Sequence, residues 1–166
     1  MSRSFLSPSR CDAGTTTSPF RRALEGVDPE QVRDISLEGV VEIRGDLDLV
    51  SPEEGEELVR LSPRRGFLFT SGDAADAAER LRAVGVLAYD ATGALAGLEI
   101  SNPALMPRLT ALDLSRAPMA GSLARVWALV RPVDGGGYRV YVHQELGHYV
   151  AETVVDALAG LEGRAA

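Results

Sequence analysis

The sequence GALAGLEISNPALMPRLTAL (residues 93–112) opens the longest stretch with one consistent pattern, which continues to Gly163. It predicts a strand over Ala94–Ile100 and then a helix, capped by Asn102 with Pro103 as its first residue, that ends near Leu112. Beyond it, the pattern predicts a strand, a glycine turn, a return strand and a closing helix, at 123–132, 134–137, 138–143 and 145–161,. Pro107 is unusual inside this predicted helix, so the helix either begins near Pro107 or is kinked there.

The part of the chain before residue 93 predicts shorter elements. Alternating apolar residues predict a half-buried strand over Ile35–Arg44,. Residues 46–65 are expected to be loop-like, with a short helix starting at Ser51, and Asp28 is expected to start another short helix. A strand, a helix ended by a glycine and a further strand are then predicted at 66–70, 71–84 and 86–89,. The fold class is therefore predicted to be α+β, a mostly antiparallel sheet with helices packed against it.

Both faces of the predicted strand at residues 123–132 are apolar. Only a central strand, covered on both sides, needs such a pattern. We therefore expect Trp127 to belong to the core rather than to an interface.

The composition excludes several classes of function. The chain has 166 residues, which suits one domain, and a net charge of −7,. Nucleic acids and anionic membrane surfaces both require a basic protein face, so neither is an expected partner. All 17 basic residues are arginine, and the absence of lysine rules out a lysine Schiff base and a P-loop lysine.

The amino-terminal residues 1–17 are rich in Ser, Thr, Gly and Pro and are expected to form a flexible tail before a single domain at residues 18–166,. Ser18 to Leu24 could form a helical turn or an anchor. The single cysteine, Cys11, cannot form an internal disulfide. No signal peptide or membrane-spanning run is visible, so a cytoplasmic location is expected.

No catalytic, cofactor-binding or metal-binding residues are predicted. The acidic cluster at residues 53–57 is better explained as a charged first turn of a helix than as a metal site. His143 and His148 lie on different elements with no cysteine nearby, which makes a zinc site improbable. No glycine-rich dinucleotide motif follows a strand, and no catalytic triad or carboxylate pair is evident.

The strand–helix element LEISNPALMPRLTALDL (residues 98–114) resembles the corresponding element of the aminomethyltransferase and folate-binding superfamily. The segments GSLARVWALV (121–130) and GYRVYVHQELGHYV (137–150), which follow it, most resemble one branch of that superfamily, the γ subunit family of heterotetrameric sarcosine oxidase. Ser18–Phe20 and GVVEIRGD (39–46) resemble its amino-terminal segment and first strand. The chain departs from the family pattern at Asn102, where glycine is usual, and at Ala104, where aspartate is usual.

The resemblance implies a non-catalytic small subunit of a complex that oxidatively demethylates sarcosine. FAD, FMN, NAD and tetrahydrofolate would be held by larger flavoprotein subunits and none by this chain. Two alternatives stay open. One is a stand-alone protein that binds tetrahydrofolate or another pterin; the other is a hydrolase that uses Asp90, Glu99, Asp113 and His143.

Overall fold

The computed structural model describes residues 18–165. The expectations about the tail over residues 1–17 and about Cys11 lie outside the described residues. The strands are β1 (Val32–Asp34), β2 (Gly39–Arg44), β3 (Glu56–Ser62), β4 (Arg65–Thr70), β5 (Leu87–Asp90), β6 (Leu95–Ile100), β7 (Met119–Leu123), β8 (Val126–Val133) and β9 (Gly137–His143). The α-helices are α1 (Ala74–Ala83), α2 (Met106–Leu109) and α3 (Gly147–Ala165), and short 3₁₀ turns lie at Leu47–Leu49, Pro103–Leu105, Leu114–Arg116 and Gln144–Leu146.

The strands form two antiparallel sheets. The five-stranded sheet has the order β1-β6-β9-β8-β7, and the four-stranded sheet has the order β3-β4-β2-β5. Every strand pair in both sheets is antiparallel. The α+β class with antiparallel sheets and packed helices is confirmed, with the strands divided between two sheets.

The chain forms four layers: α2 with α3, the five-stranded sheet, the four-stranded sheet and α1. An apolar cluster fills each of the three spaces between them. One cluster fills the space between α2, α3 and the outer face of the five-stranded sheet, where Leu98 and Val130 are fully buried. A second lies between α1 and the four-stranded sheet. The third lies between the two sheets and includes Phe69, Leu129 and Tyr141. Since successive residues of a strand point to opposite faces, each sheet supplies apolar residues to two clusters.

Two segments differ from the sequence-based prediction. Residues 46–65, expected to be loop-like, contain β3, an edge strand paired with β4. Its residues Glu56–Ser62 are mostly polar because the strand has few buried positions, so the hydrophobic pattern is weak there,. The helix expected from Asp28 is one turn, closed by the Gln31 and Val32 N–H groups on the Asp28 carbonyl, and β1 follows it.

The predicted strand at residues 123–132 is interrupted by a hairpin. Ala124 and Arg125 have φ angles of 49° and 67°, and they connect β7 to β8. Two consecutive positive φ values fit a type I′ turn, which usually carries Asn-Gly, so the turn has no sequence signal here. The inference of an interior strand is confirmed for β8, which lies between β9 and β7.

The helices predicted after Ser71, Asn102 and Gln144 are present, but the short helix expected from Ser51 is not. Residues 51–53 have no regular structure and β3 begins at Glu56, so the acidic cluster at residues 53–57 is not the first turn of a helix. The Asp73 carboxylate accepts hydrogen bonds from the N–H groups of Ala75 and Asp76 and so caps α1,. Asn102 caps a 3₁₀ turn, and the α-helical segment begins at Met106, so that Pro107 falls in its first turn, where its missing N–H costs nothing,. The closing helix α3 follows a 3₁₀ turn at Gln144–Leu146.

Candidate functional site

The structure does not bring together the residues of the hydrolase alternative. Glu99 and His143 lie four register positions apart on the paired strands β6 and β9, a separation of about 13 Å at 3.3 Å per residue,. The Asp113 carboxylate accepts hydrogen bonds from the Ser115 hydroxyl and N–H, which lower the pKa of Asp113. The Asp90 carboxylate accepts from the Thr92 N–H. These four side chains therefore make no common site.

Several of the side chains considered as metal ligands pair with a neighbouring side chain. Within residues 18–165, no group of three or more His, Cys, Asp or Glu side chains is arranged to hold a metal ion. In the acidic cluster, Glu53 and Glu56 pair with Arg80 of α1, at 3.2 and 2.5 Å. His148 is exposed and lies 3.2 Å from Glu152, one turn further along α3.

Trp127 lies at the border of the cluster between the sheets. It is partly buried and packs against that cluster. Its ring centroid is 6.3 Å from that of Phe67 and 5.2 Å from that of the exposed His143. The core assignment of Trp127 holds only in part, because the side chain packs against the core cluster without being fully buried.

A buried arginine is the unexpected feature between the two sheets. Arg131 of β8 is only 5% exposed, and its guanidinium carbon lies 3.9 Å from the ring centre of Phe69. Its Nη2 donates to Glu57 of β3, and its Nη1 donates to the Tyr141 hydroxyl at 3.1 Å. Glu38 is 3.7 Å away. The Arg131 Nε has no hydrogen-bond partner among the described residues. Arg131 thus joins the two sheets through one ion pair and one aromatic contact.

The Arg131 cluster continues through Tyr141 to a second arginine. The Tyr141 hydroxyl donates to Glu38, which also accepts from Nη1 of Arg139 at 2.9 Å. Nε of Arg139 donates to Glu99 at 2.8 Å, and Glu99 pairs with Arg33 at 2.7 Å. We call these seven side chains the inter-sheet network: Arg33, Glu38, Glu57, Glu99, Arg131, Arg139 and Tyr141. Three arginines and three glutamates balance each other, so the ionisable groups of the network other than Tyr141 sum to zero charge.

The network changes two ionisation equilibria. Burial raises the pKa of Tyr141 far above its ordinary value, and the hydrogen bond to Glu38 and the charge of Glu38 act in the same direction,. Burial alone would lower the pKa of Arg139, but its hydrogen bond to Glu99 and the charge of Glu38 outweigh this effect, and the pKa of Arg139 is raised. Arg139 therefore remains a cation and the Tyr141 phenol remains neutral across the physiological pH range.

One signal for this network is present in the sequence of the β8–β9 hairpin. Arg131 and Arg139 are directly opposite each other on β8 and β9. Like charges at opposed positions destabilise a sheet unless carboxylates separate them. Glu38, Glu57 and Glu99 supply these carboxylates, two of them from outside the five-stranded sheet, and their pairing could not be predicted without the tertiary structure.

A cavity of about 440 Å³ opens beside the network. Its walls are formed by the connection between β1 and β2, by one residue of β9 and by the start of the described chain: Asp34, Ile35, Ser36, Leu37, Glu38, Arg139 and Ser18. Leu37 is 74% exposed at its rim. The Asp34 carboxylate accepts hydrogen bonds from the Ser36 N–H and hydroxyl, so it is turned toward its own loop. Glu38 and Arg139 are therefore the polar groups that the network presents to the cavity.

The Tyr141 ionisation gives a testable pH dependence. The folded-state pKa of Tyr141 is raised above the unfolded value of about 10, so its stabilising contribution is complete below about pH 10 and is lost as the pH rises above that value,. We expect the urea concentration at the midpoint of unfolding to decrease as the pH is raised from about 9 to about 11, and to decrease less in Tyr141→Phe. Equal slopes for the two proteins would contradict this assignment.

No protein-family model and no curated protein matches the sequence. A solved structure does match: heterotetrameric sarcosine oxidase from Corynebacterium sp. U-96 in complex with pyrrole 2-carboxylate, with a TM-score of 0.74 over 87% of this chain and 95% of that chain. The fold is that of a sarcosine oxidase chain. The sequence identity to the sarcosine oxidase chain is 13%, so the likeness establishes the fold and confirms the predicted resemblance at that level.

The coverage of the sarcosine oxidase chain is nearly complete, and the two chains are of similar length. The likeness therefore extends over both sheets rather than over one shared motif. Among the helices within residues 18–165, none combines the length and the apolarity required to cross a bilayer.

Proposed function

We propose that this chain is a small non-catalytic subunit of a hetero-oligomeric, sarcosine-oxidase-type complex. It corresponds to the γ subunit in this proposal and serves as a structural partner of larger flavoprotein subunits. The observation that carries the proposal is the agreement in fold over nearly all of both chains. FAD, FMN, NAD and tetrahydrofolate belong to the partner subunits, and the complex demethylates sarcosine oxidatively.

The chemistry of the described residues supports a structural role. The buried charges are engaged with each other in the inter-sheet network, where Arg131 and Tyr141 are almost completely enclosed. Groups used in this way stabilise a fold, whereas a catalytic acid or base needs contact with a substrate. Among the described residues, Asp90, Asp113 and His143 share no hydrogen bond or ion pair with that network.

Co-expression tests the proposal. The chain is produced together with the large and intermediate subunits of a sarcosine-oxidase-type complex from the same host, and the mixture is separated by gel filtration. We expect one peak that contains all chains and the flavin absorbance. The large subunits expressed without this chain serve as the control. Elution of this chain in its own peak, or turnover of sarcosine by this chain alone, would refute the proposal.

The pterin-binding alternative makes a different prediction for the isolated chain. A stand-alone tetrahydrofolate-binding protein would release or absorb heat and would melt at a higher temperature when tetrahydrofolate is added. A structural subunit that holds no cofactor would show neither effect. Calorimetric titration of the purified full-length chain therefore separates the two functions.

A further inference from the structure

The cavity beside the network presents a fixed pair of opposite charges. The Glu38 carboxylate is held by the Tyr141 hydroxyl and by Nη1 of Arg139, and Nε of Arg139 is held by Glu99 at 2.8 Å. The side chains of Glu38 and Arg139 are 20% and 29% exposed. Their positions are thus set by contacts on the protein side, as in binding sites whose polar groups are oriented by a supporting layer.

Both members of the pair retain hydrogen-bonding capacity. A carboxylate has about four acceptor positions, and the Glu38 carboxylate uses one for Tyr141 and one for Arg139,. Nη2 of Arg139 makes no hydrogen bond with any described residue, so its two N–H groups remain available as donors,. The cavity can therefore offer an acceptor and a donor of opposite charge on adjacent side chains.

The charge balance selects the kind of ligand. A ligand with a single charge would compete for Glu38 or for Arg139 and leave the other group less well compensated, which is costly at partly buried positions. A ligand that carries both charges compensates both groups at once. The cavity volume of about 440 Å³ lies within the usual range for small-molecule sites,. Ile35 and Leu37 add apolar wall on which a short aliphatic side chain can pack.

From these observations we propose that the cavity binds a small zwitterion of the free amino acid class. The ligand ammonium group faces the Glu38 carboxylate, and the ligand carboxylate faces Nη2 of Arg139. This binding site is additional to the structural role proposed above and does not depend on it. It gives the chain a means to sense an amino acid without transforming it.

The test uses the isotope-labelled full-length chain and records backbone amide shifts by NMR. Glycine, L-alanine and L-proline are the zwitterionic probes, and acetate and methylamine carry one charge each. We expect at least one zwitterion to give saturable shifts at the amides of Ile35 to Glu38, with a Kd of the order of millimolar or lower. Each single-charge probe should bind at least about tenfold more weakly, since it loses one charge-assisted contact.

Two leucine variants locate the site without disturbing the network. Leu37→Ser removes apolar wall from the cavity, and Leu37 is 74% exposed, so the fold does not depend on it. Leu49→Ser is the matched control, because Leu49 is 52% exposed and does not line the cavity. We expect the first variant to weaken zwitterion binding about threefold to tenfold and the second to leave it unchanged.

Three results would overturn the proposal. They are the absence of saturable shifts with every zwitterion up to about 50 mM, equal binding of acetate or methylamine, and equal effects of the two leucine variants. Shifts of the same amides by tetrahydrofolate but by no zwitterion would assign the cavity to a pterin. None of these results depends on co-elution with larger subunits, so failure of this proposal and failure of the structural one are distinguishable.

Discussion

Replacement of Phe20 by alanine is expected to lower the free energy of unfolding by about 3–5 kcal/mol, the usual cost of removing a fully buried phenylalanine side chain. Phe20 is 0% exposed and belongs to the cluster between α3 and the five-stranded sheet. A Cβ atom on Gly147, at the start of α3, would lie 2.7 Å from Pro19 and 3.2 Å from the Phe20 ring. The backbone of α3 therefore approaches this segment too closely for a shift of the helix to refill the cavity left by the substitution.

Urea denaturation of the unsubstituted chain and of Phe20→Ala measures this loss in the free energy of unfolding. Leu49→Ala provides the control, because Leu49 is 52% exposed and its truncation should change the free energy of unfolding by less than about 0.5 kcal/mol,. A loss of less than about 1 kcal/mol in Phe20→Ala would show that the segment from Ser18 does not anchor the helix layer.

Replacement of Arg131 by alanine is expected to cost about 2–4 kcal/mol, because a buried side chain loses its packing and its charge-assisted hydrogen bonds, while the partly exposed Glu57 can be hydrated,. The substitution removes the cation that lies beside Glu57 and Glu38. It also removes the hydrogen bond that Arg131 donates to the Tyr141 hydroxyl, and it leaves an empty space over the Phe69 ring. It affects both sheets together, because Glu57 and Phe69 belong to the four-stranded sheet and Tyr141 to the five-stranded one.

Two further variants separate charge from volume. Arg33→Ala removes the outermost arginine of the network, which is 55% exposed, and should cost no more than about 1 kcal/mol,. Arg131→Met keeps most of the side-chain volume and eliminates the unpartnered Nε, so it should be less destabilising than alanine,. If Arg131→Ala costs no more than Arg33→Ala, the contacts of the buried Arg131 make no special contribution to stability.

Much of the fold follows from local sequence pattern. The helix from Ala74 to Ala83, with its Asp73 cap, and the hairpin through the glycines at residues 135–137 were predictable because their signals lie within a few residues,. The strand Glu56–Ser62 was not predictable, since only Val59 is fully buried along it. The break at Ala124 and Arg125 was missed because neither residue type normally adopts a positive φ,.

The candidate site was less accessible to sequence reasoning than the fold. The cavity is built from the connection at residues 34–38 and from Arg139, which are about 100 positions apart in the chain,. Their approach depends on β1 and β9 both pairing with β6. A periodicity argument reports the burial of single positions and contains no information on which arginine meets which glutamate. The resemblance to sarcosine oxidase was correct at the level of fold, and the role within a complex stays a proposal.

The order of strands within the two sheets has a consequence for chain entropy. β1 pairs with β6, and the Ile35 N–H donates to the Gly97 carbonyl at 2.8 Å. The whole four-stranded sheet and α1 lie between these two points of the sequence. The β1–β6 contact thus closes one long loop, and the entropic cost of closure is smaller when the enclosed residues are already compact than when they are extended.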